Sequence, residues 1–130
     1  MNFGIIGLII ASITMSSSAQ ILLKHGMSSR AVQKTLESGA LNRIFWVIAT
    51  NTNVIGGLLM FGLSVVLWLI VLSRIDVSLA YPFVAMGIVF TALAGRLFLD
   101  EHLPLLRIAG LTVIVSGVII VALSASPANN

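Results

Sequence analysis

Four long apolar stretches divide the chain, and polar segments separate them. They cover residues 3–23, 54–73, 77–99 and 105–123, and a helix needs roughly 20 residues to cross a hydrocarbon core of about 30 Å. Continuous runs such as LLMFGLSVVLWLIVL lack the alternation of a barrel strand, and lipid admits only helices or closed barrels. The pattern predicts an all-α membrane protein whose residues 1–130 form a single transmembrane domain of four helices.

Two of the three connections between these stretches are short. Residues 74–76 join the second and third helices, and residues 100–104 join the third and fourth. Short links favour antiparallel neighbours. The helices are therefore expected to form a compact bundle.

The first connection, residues 24–53, is long. Within it, Arg30 and Lys34 lie one turn apart while Val32 and Leu36 share another face, which favours an amphipathic helix on the membrane surface. The apolar segment 44–48 is interpreted as a second interfacial piece. The alternative is that it extends the second helix to about 45 Å, longer than the hydrocarbon core.

The end of the first helix also carries a competing pattern. Residues 17–20, Ser-Ser-Ala-Gln, resemble a signal-peptidase site after an apolar run. No Lys or Arg precedes that run, whereas Lys24 and Arg30 follow it. This charge pattern favours a retained helix.

Composition narrows the class of protein. The chain is 58% hydrophobic and 8% charged, too few charges to cover the surface of a soluble domain. Cysteine is absent, which excludes disulfides and thiolate chemistry. The net charge of +3 comes from basic residues scattered at helix ends, so no nucleic-acid partner is expected.

The basic residues predict an orientation. One side of the bundle carries only Arg74, and the side of the first and third connections carries Lys24, Arg30, Lys34, Arg43, Arg96 and Arg107. Positive charge accumulates in cytoplasmic loops. The pattern predicts a multi-pass protein of the cell inner membrane, with connections 1 and 3 in the cytoplasm and both termini outside.

A polar stripe marks the first helix. Ser12, Ser16, Gln20 and Lys24 recur every four residues and share one face. One interpretation is a polar translocation groove that ends in a cation. The other is close helix packing, which small hydroxyl residues permit. Both interpretations stay open for Ser12 and Ser16. The amide of Gln20 and the cation of Lys24 favour substrate binding.

The third helix carries two further features. Tyr81 precedes Pro82, which removes a backbone donor and predicts a kink. Tyr81 is a candidate ligand contact, with an interfacial belt residue as the alternative. Gly87 and Gly95 lie on a small-residue face that predicts helix packing.

Arg96 has two interpretations that the sequence leaves open. It lies four positions before Asp100, the spacing of a helical ion pair. It could instead hold a phosphate near the cytoplasmic interface. In the fourth helix, Gly110 and Gly117 are two turns apart and predict packing.

The absence of certain groups also narrows function. The chain has four acidic residues, and none lies in the middle of a span; proton-coupled exporters rely on such an intramembrane group. No nucleophile–base pair, metal-ligand cluster or phosphate-cradling glycine loop is present. Neither enzymatic activity nor a metal or cofactor is expected.

Three segments, SAQILLKHG, VSLAYPFVAMGIVF and LDEHLPLLRIAGLTVIVSGVII, resemble the drug/metabolite transporter superfamily. The similarity is to its EamA-type and small multidrug resistance branches, and among them to the four-helix subunits that flip undecaprenyl-phosphate-linked aminoarabinose. The resemblance implies a four-helix bundle of that type. It also adds Glu101 to the candidate substrate-binding residues.

One departure separates the chain from the drug exporters it resembles. That branch binds cations and protons with a glutamate on helix 1, and alignment on Lys24 places Ser16 there. The resemblance thus implies a flippase for a polyprenyl-phosphate-linked sugar, whose phosphate suits Lys24 and Arg96. It also implies contact with membrane lipid and a homodimer or a heterodimer with a similar chain. A small-molecule exporter and a non-transporting subunit of a glycosyltransferase system remain alternatives.

Overall fold

The computed structural model describes residues 3–124, and within that range the regular structure is entirely helical. Four helices are long and apolar enough to cross a membrane, which confirms the prediction of an all-α, four-helix membrane bundle. Two shorter helices fill the first connection. The helices are α1 Phe3–Met27, α2 Arg30–Glu37, α3 Leu41–Ala49, α4 Thr52–Leu72, α5 Val77–Phe98 and α6 Leu105–Ser124.

Large apolar side chains cover the outside of the bundle. Leu59 on α4 and Val113 on α6 are each 71% exposed, and most of the residues in α5 and α6 are not buried. In water this surface would be unstable, because burying it is favourable. In a bilayer it faces hydrocarbon, so the chain is a multi-pass membrane protein.

The first helix lies at the centre of the bundle. α1 packs along both α4 and α5, and α6 packs on α5. Although a short link joins α4 to α5, these two helices share little contact, since α1 lies between them. The expectation that a short link makes close neighbours therefore holds at the linked end but not along the helices.

Glycines explain why α1 lies so close to α4. A Cβ atom on Gly57 would lie 2.8 Å from the Cγ of Leu23 and 3.1 Å from the carbonyl oxygen of Ala19. About one turn closer to the C-terminus of α1, a Cβ on Gly26 would lie 3.0 Å from the backbone nitrogen of Val54. Small residues of this kind allow close helix approach in membranes.

Asn51 separates α3 from α4. Its side-chain oxygen accepts from the backbone N–H of Asn53 at 3.0 Å and of Val54 at 3.2 Å, which caps the first turn of α4. Its amide nitrogen donates to the carbonyl of Gly26 at 3.2 Å. The alternative in which residues 44–48 extend the second helix is therefore wrong.

The α2–α3 segment has the features of an interfacial piece. Val32 on α2 is buried, while the rings of Phe45 and Trp46 on α3 form a T-shaped pair and are 67% and 61% exposed. Apolar rings on an exposed helix suit the boundary between headgroups and acyl chains.

The buried core lies toward the α4–α5 link. Ile9 and Ile13 of α1 pack with Val71 of α4, and Trp68 and Phe83 cover this cluster. The bundle is thus closed by apolar contacts at one end, which leaves the other end free for a polar site.

Candidate functional site

A continuous groove runs along the face of α1 between α4 and α5. It consists of two cavities of about 240 Å³ and 370 Å³. The two cavities share four lining residues, Ser16, Gln20, Val84 and Gly87, so they adjoin each other. We call the two cavities together the groove; its remaining lining includes Ser12, Phe61, Ser64, Val65, Trp68, Ile88, Thr91, Glu101, Leu103 and Arg107.

The floor of the groove is the polar stripe of α1. Ser12 is buried and donates a 2.9 Å hydrogen bond to the carbonyl of Ser64 on α4, so its hydroxyl serves helix packing. The Ser16 hydroxyl bonds to Ile13 within its own helix at 3.0 Å, and Gln20 is exposed. The structure thus brings Ser16 and Gln20 to the groove, where a ligand can reach them.

Charged groups close the groove at the end nearest the α5–α6 link. Lys24 forms an ion pair with Glu101, and their side chains are 53% and 30% exposed. Arg107 lines the same cavity as Glu101. We call these three side chains the mouth. The mouth therefore presents both signs of charge at one end of the groove.

The local backbone places Glu101 at the mouth. Asp100 takes a left-handed conformation with φ of 52°, which Asp tolerates better than most residues. The turn lets the backbone N–H groups of Leu99 and Glu101 both donate to the carbonyl of Gly95, at 3.1 and 3.2 Å.

Gly95 leaves room for the carboxylate. A Cβ atom there would lie 2.9 Å from Oε2 of Glu101, closer than real Cβ contacts. Gly95 therefore faces Glu101 and not another helix of this chain. Gly87, by contrast, lies against α1, where its carbonyl accepts a 3.3 Å hydrogen bond from Ser17.

An aromatic pair borders the opposite end of the groove. Trp68 lines it and meets Tyr81 in a T-shaped contact with ring centroids 6.3 Å apart. Tyr81 is 57% exposed and reaches the groove through Trp68. Its neighbour Pro82 lies inside α5, which continues through it.

Three candidate residues lie away from the groove. Arg96 does not line it; its guanidinium lies 3.8 Å from the carboxylate of Asp100, four positions on. Among residues 3–124, nothing lies within 4 Å of a Cβ built on Gly110 or Gly117. A packing role for these two glycines would require a second chain.

Sequence reasoning did not identify Ser64, Trp68 and Arg107 as groove residues. Ser64 could have been found as the polar residue in the middle of the otherwise apolar α4. Arg107 counted only toward orientation, although it lies near the start of α6 on the same side as Lys24. Among residues 3–124, no group of three His, Cys, Asp or Glu side chains is placed to hold a metal.

The geometry of the groove would let a polar headgroup lie along its floor while the charged groups of the mouth bind it.

A further cavity of about 440 Å³ lies between α1, α5 and α6. Its lining is wholly apolar, so it offers no polar or charged group.

Comparison with known proteins identifies the family. Residues 43–114 match the model of the family described as Small Multidrug Resistance protein. A probable 4-amino-4-deoxy-L-arabinose-phosphoundecaprenol flippase subunit ArnE of Pseudomonas aeruginosa is 41% identical over 68 residues, which cover 52% of this chain and 59% of the relative. This chain thus spans little more than half the length of that relative.

Two other relatives carry the same description. The protein of Pseudomonas fluorescens is 31% identical over 98 residues, 75% of this chain and 74% of the relative. The protein of Enterobacter sp. is 28% identical over 113 residues, 87% of this chain and 92% of the relative. No solved structure matches significantly. With the family model covering more than half of its residues, this chain belongs to the Small Multidrug Resistance protein family.

Proposed function

We propose that this chain is a subunit of a flippase that moves a polyprenyl-phosphate-linked amino sugar across the cytoplasmic membrane. The observation that carries the proposal is the continuous groove, whose polar floor runs along α1 from Ser12 to the Lys24–Glu101 pair. The relatives named as flippase subunits for 4-amino-4-deoxy-L-arabinose-phosphoundecaprenol support the choice of substrate class.

The shape of the groove suits a lipid with a polar head and a long apolar tail. As the lipid moves along the groove, its sugar would contact the hydroxyl and amide groups of Ser16 and Gln20. Because α4 and α5 share little contact, the flank between them is open along much of its length. Its walls, Val65 on α4 and Ile88 on α5, are exposed apolar side chains that would contact the polyprenyl tail.

The groove lacks the group that a proton-coupled drug exporter needs. A membrane-embedded acid is costly and is present where it binds protons or cations. The middle of the groove offers Ser16 and Gln20 instead, and its carboxylate, Glu101, lies at the mouth. This arrangement favours a headgroup that brings its own charges.

We further propose that the α1–α2 side faces the cytoplasm, that both termini lie outside and that the working unit is a dimer. The basic residues at that side support the orientation. The open surfaces around Gly110 and Gly117 support a second chain, either another copy or a similar four-helix subunit.

A leaflet assay tests the function. Vesicles containing the aminoarabinose lipid are exposed to a membrane-impermeant amine reagent, which modifies only headgroups in the outer leaflet. Protein-free vesicles should retain about half of the lipid unreacted. Vesicles containing the chain, alone or as the complex purified from its native membrane, should lose nearly all of it.

Two matched variants link that activity to the groove. Ser16→Leu fills the floor and should stop flipping. Ser18→Leu adds the same volume 200° around α1, where Ser18 bonds only to Thr14 of its own helix, and should preserve flipping. Inactivity of both chain and complex would overturn the proposal. Efflux of ethidium instead would establish a drug exporter, the second candidate that the family name supports.

A further inference from the structure

The two charges that close the groove can separate substrates by charge type. Lys24 and Glu101 form an ion pair, and Arg107 lines the same cavity as the carboxylate. Both partners of the pair are partly exposed, so opening it carries little cost in stability. A ligand can therefore exchange with the pair.

We infer that the mouth is a binding site for a zwitterionic headgroup, in which Glu101 receives a primary ammonium group while Lys24 and Arg107 receive a phosphate. The inference rests on the proposed function and adds to it the residue that selects for the amine. 4-Amino-4-deoxy-arabinose joined through phosphate to a polyprenol has this charge pattern, one ammonium and one phosphodiester.

The Lys24–Glu101 pair provides the selection. A purely anionic headgroup that binds Lys24 would draw it from Glu101 and place a second negative charge beside the carboxylate. A purely cationic ligand would bind Glu101 and leave Lys24 and Arg107 facing a positive charge. A zwitterion breaks one ion pair and forms two, so Lys24 and Glu101 both keep a partner of opposite charge.

The backbone around Glu101 indicates that its position is built into the fold. The left-handed turn at Asp100 and the paired hydrogen bonds to the Gly95 carbonyl fix the position of the Glu101 backbone. The missing side chain of Gly95 leaves space for Oε2, while the other carboxylate oxygen, Oε1, contacts Lys24. A carboxylate held in this way is preorganised, which reduces the entropy that binding costs.

The neighbouring carboxylate provides a matched control. Asp100 directly precedes Glu101 in the sequence, but its side chain is fully exposed and pairs with Arg96, outside the groove. Asp100→Asn removes the same charge as Glu101→Gln, and Asn also tolerates the left-handed conformation. An unspecific charge effect would act equally in both variants.

The experiment measures binding of two lipids to the purified protein, or to its native complex, in detergent. One is the polyprenyl-phosphate aminoarabinose, and the other is the same lipid N-acetylated, which replaces the ammonium charge with a neutral amide. The wild type should bind the amine form about tenfold to a hundredfold more tightly, as one charge-assisted contact predicts. Glu101→Gln should bind both forms equally, and Asp100→Asn should keep the wild-type preference.

The wild-type comparison needs no mutant that folds, and melting temperatures of the variants show whether Glu101→Gln is intact. Equal binding of the two lipids by the wild type would overturn the inference, as would a full preference in folded Glu101→Gln. If the wild type flips both lipids without preference, the proposed function stands and the amine site fails. If it neither binds nor flips either lipid, the proposed function itself fails.

Discussion

Ser12 on α1 donates a hydrogen bond of 2.9 Å to the backbone carbonyl of Ser64 on α4, and both residues are buried. The hydroxyl of Ser64 bonds instead within its own helix, to the carbonyl of Phe61 at 2.6 Å. Two buried serines at the same contact therefore have different roles: the Ser12 hydroxyl links two helices, and Ser64 contributes its small volume and the carbonyl that accepts this bond. The link fixes α1 against α4 away from the mouth of the groove.

Replacing these serines separately should show the difference. Ser12→Ala removes the bond between helices and should lower the free energy of unfolding by about 0.5–1.5 kcal/mol. Ser64→Ala leaves that bond in place and should have the smaller effect. Unfolding in mixed micelles, followed by circular dichroism, measures both. An unchanged free energy of unfolding in Ser12→Ala would show that the Ser12 bond adds nothing to helix association.

Gly95 should control the position of Glu101. Gly95→Ala places a Cβ 2.9 Å from Oε2 of Glu101, so the carboxylate should move away from Lys24 at little cost in stability. A zero-length carbodiimide crosslink between Lys24 and Glu101, quantified by mass spectrometry, reports their contact. We expect the yield to fall severalfold in Gly95→Ala.

Gly62→Ala is the matched control for this experiment, because no described residue lies within 4 Å of a Cβ at that position on α4. Alanine there should leave the crosslink unchanged and favour the helix by about 0.5–1 kcal/mol. An unchanged crosslink in Gly95→Ala would mean that the glycine does not shape the mouth.

Local sequence patterns predict the helices, because the apolar length and the capping of a helix depend only on residues within it and next to it. Apolar length determines the four spans, and the polar residues around Asn51 mark the start of α4. The spacing of Ser16 and Gln20 also places them on one face of α1, the face that lines the groove. These features follow from periodicity and capping alone.

The mouth could not be derived in that way. Lys24 and Glu101 are 77 positions apart, and periodicity within one helix says nothing about partners on another. The contact depends on the left-handed turn at Asp100. Sequence alone does not predict that conformation at a residue other than glycine. For the same reason Arg96, equally basic, was a phosphate candidate from sequence, whereas the fold pairs it with Asp100.

The orientation predicts which loops are accessible from outside. Because the chain has no cysteine, single cysteines at Ser38, after α2, and at Ser73, after α4, can be labelled selectively; both positions are exposed. In intact cells an impermeant maleimide should label Ser73→Cys and leave Ser38→Cys unmodified until the membrane is permeabilised. The reverse pattern would invert the topology, and equal labelling would indicate two orientations.

Substrate binding should release no protons. The groove has no carboxylate in the middle of the membrane span, so nothing there exchanges a proton for substrate. A variant with His25→Gln and His102→Gln removes the side chains that normally titrate near neutrality. Adding the lipid to this variant in weakly buffered detergent between about pH 6 and 8 should leave the pH unchanged. A saturable acidification would instead indicate proton-coupled exchange.

The cations at the mouth should contribute to transport far more than to folding. Lys24→Gln removes a charge-assisted contact to phosphate, worth roughly 1.5–3 kcal/mol, and should reduce substrate affinity about tenfold to a hundredfold. Arg107→Gln should act in the same direction, since Arg107 lines the same cavity. Arg96→Gln, outside the groove and paired with Asp100, should flip the lipid normally.

The melting temperature of Lys24→Gln should change little, because an exposed ion pair is worth only about 0–1 kcal/mol. Flipping and melting temperature are measured on the same preparations. Normal flipping by Lys24→Gln, or activity lost only in step with unfolding, would make Lys24 a structural residue; strong loss in Arg96→Gln would restore the phosphate role that its sequence position allowed.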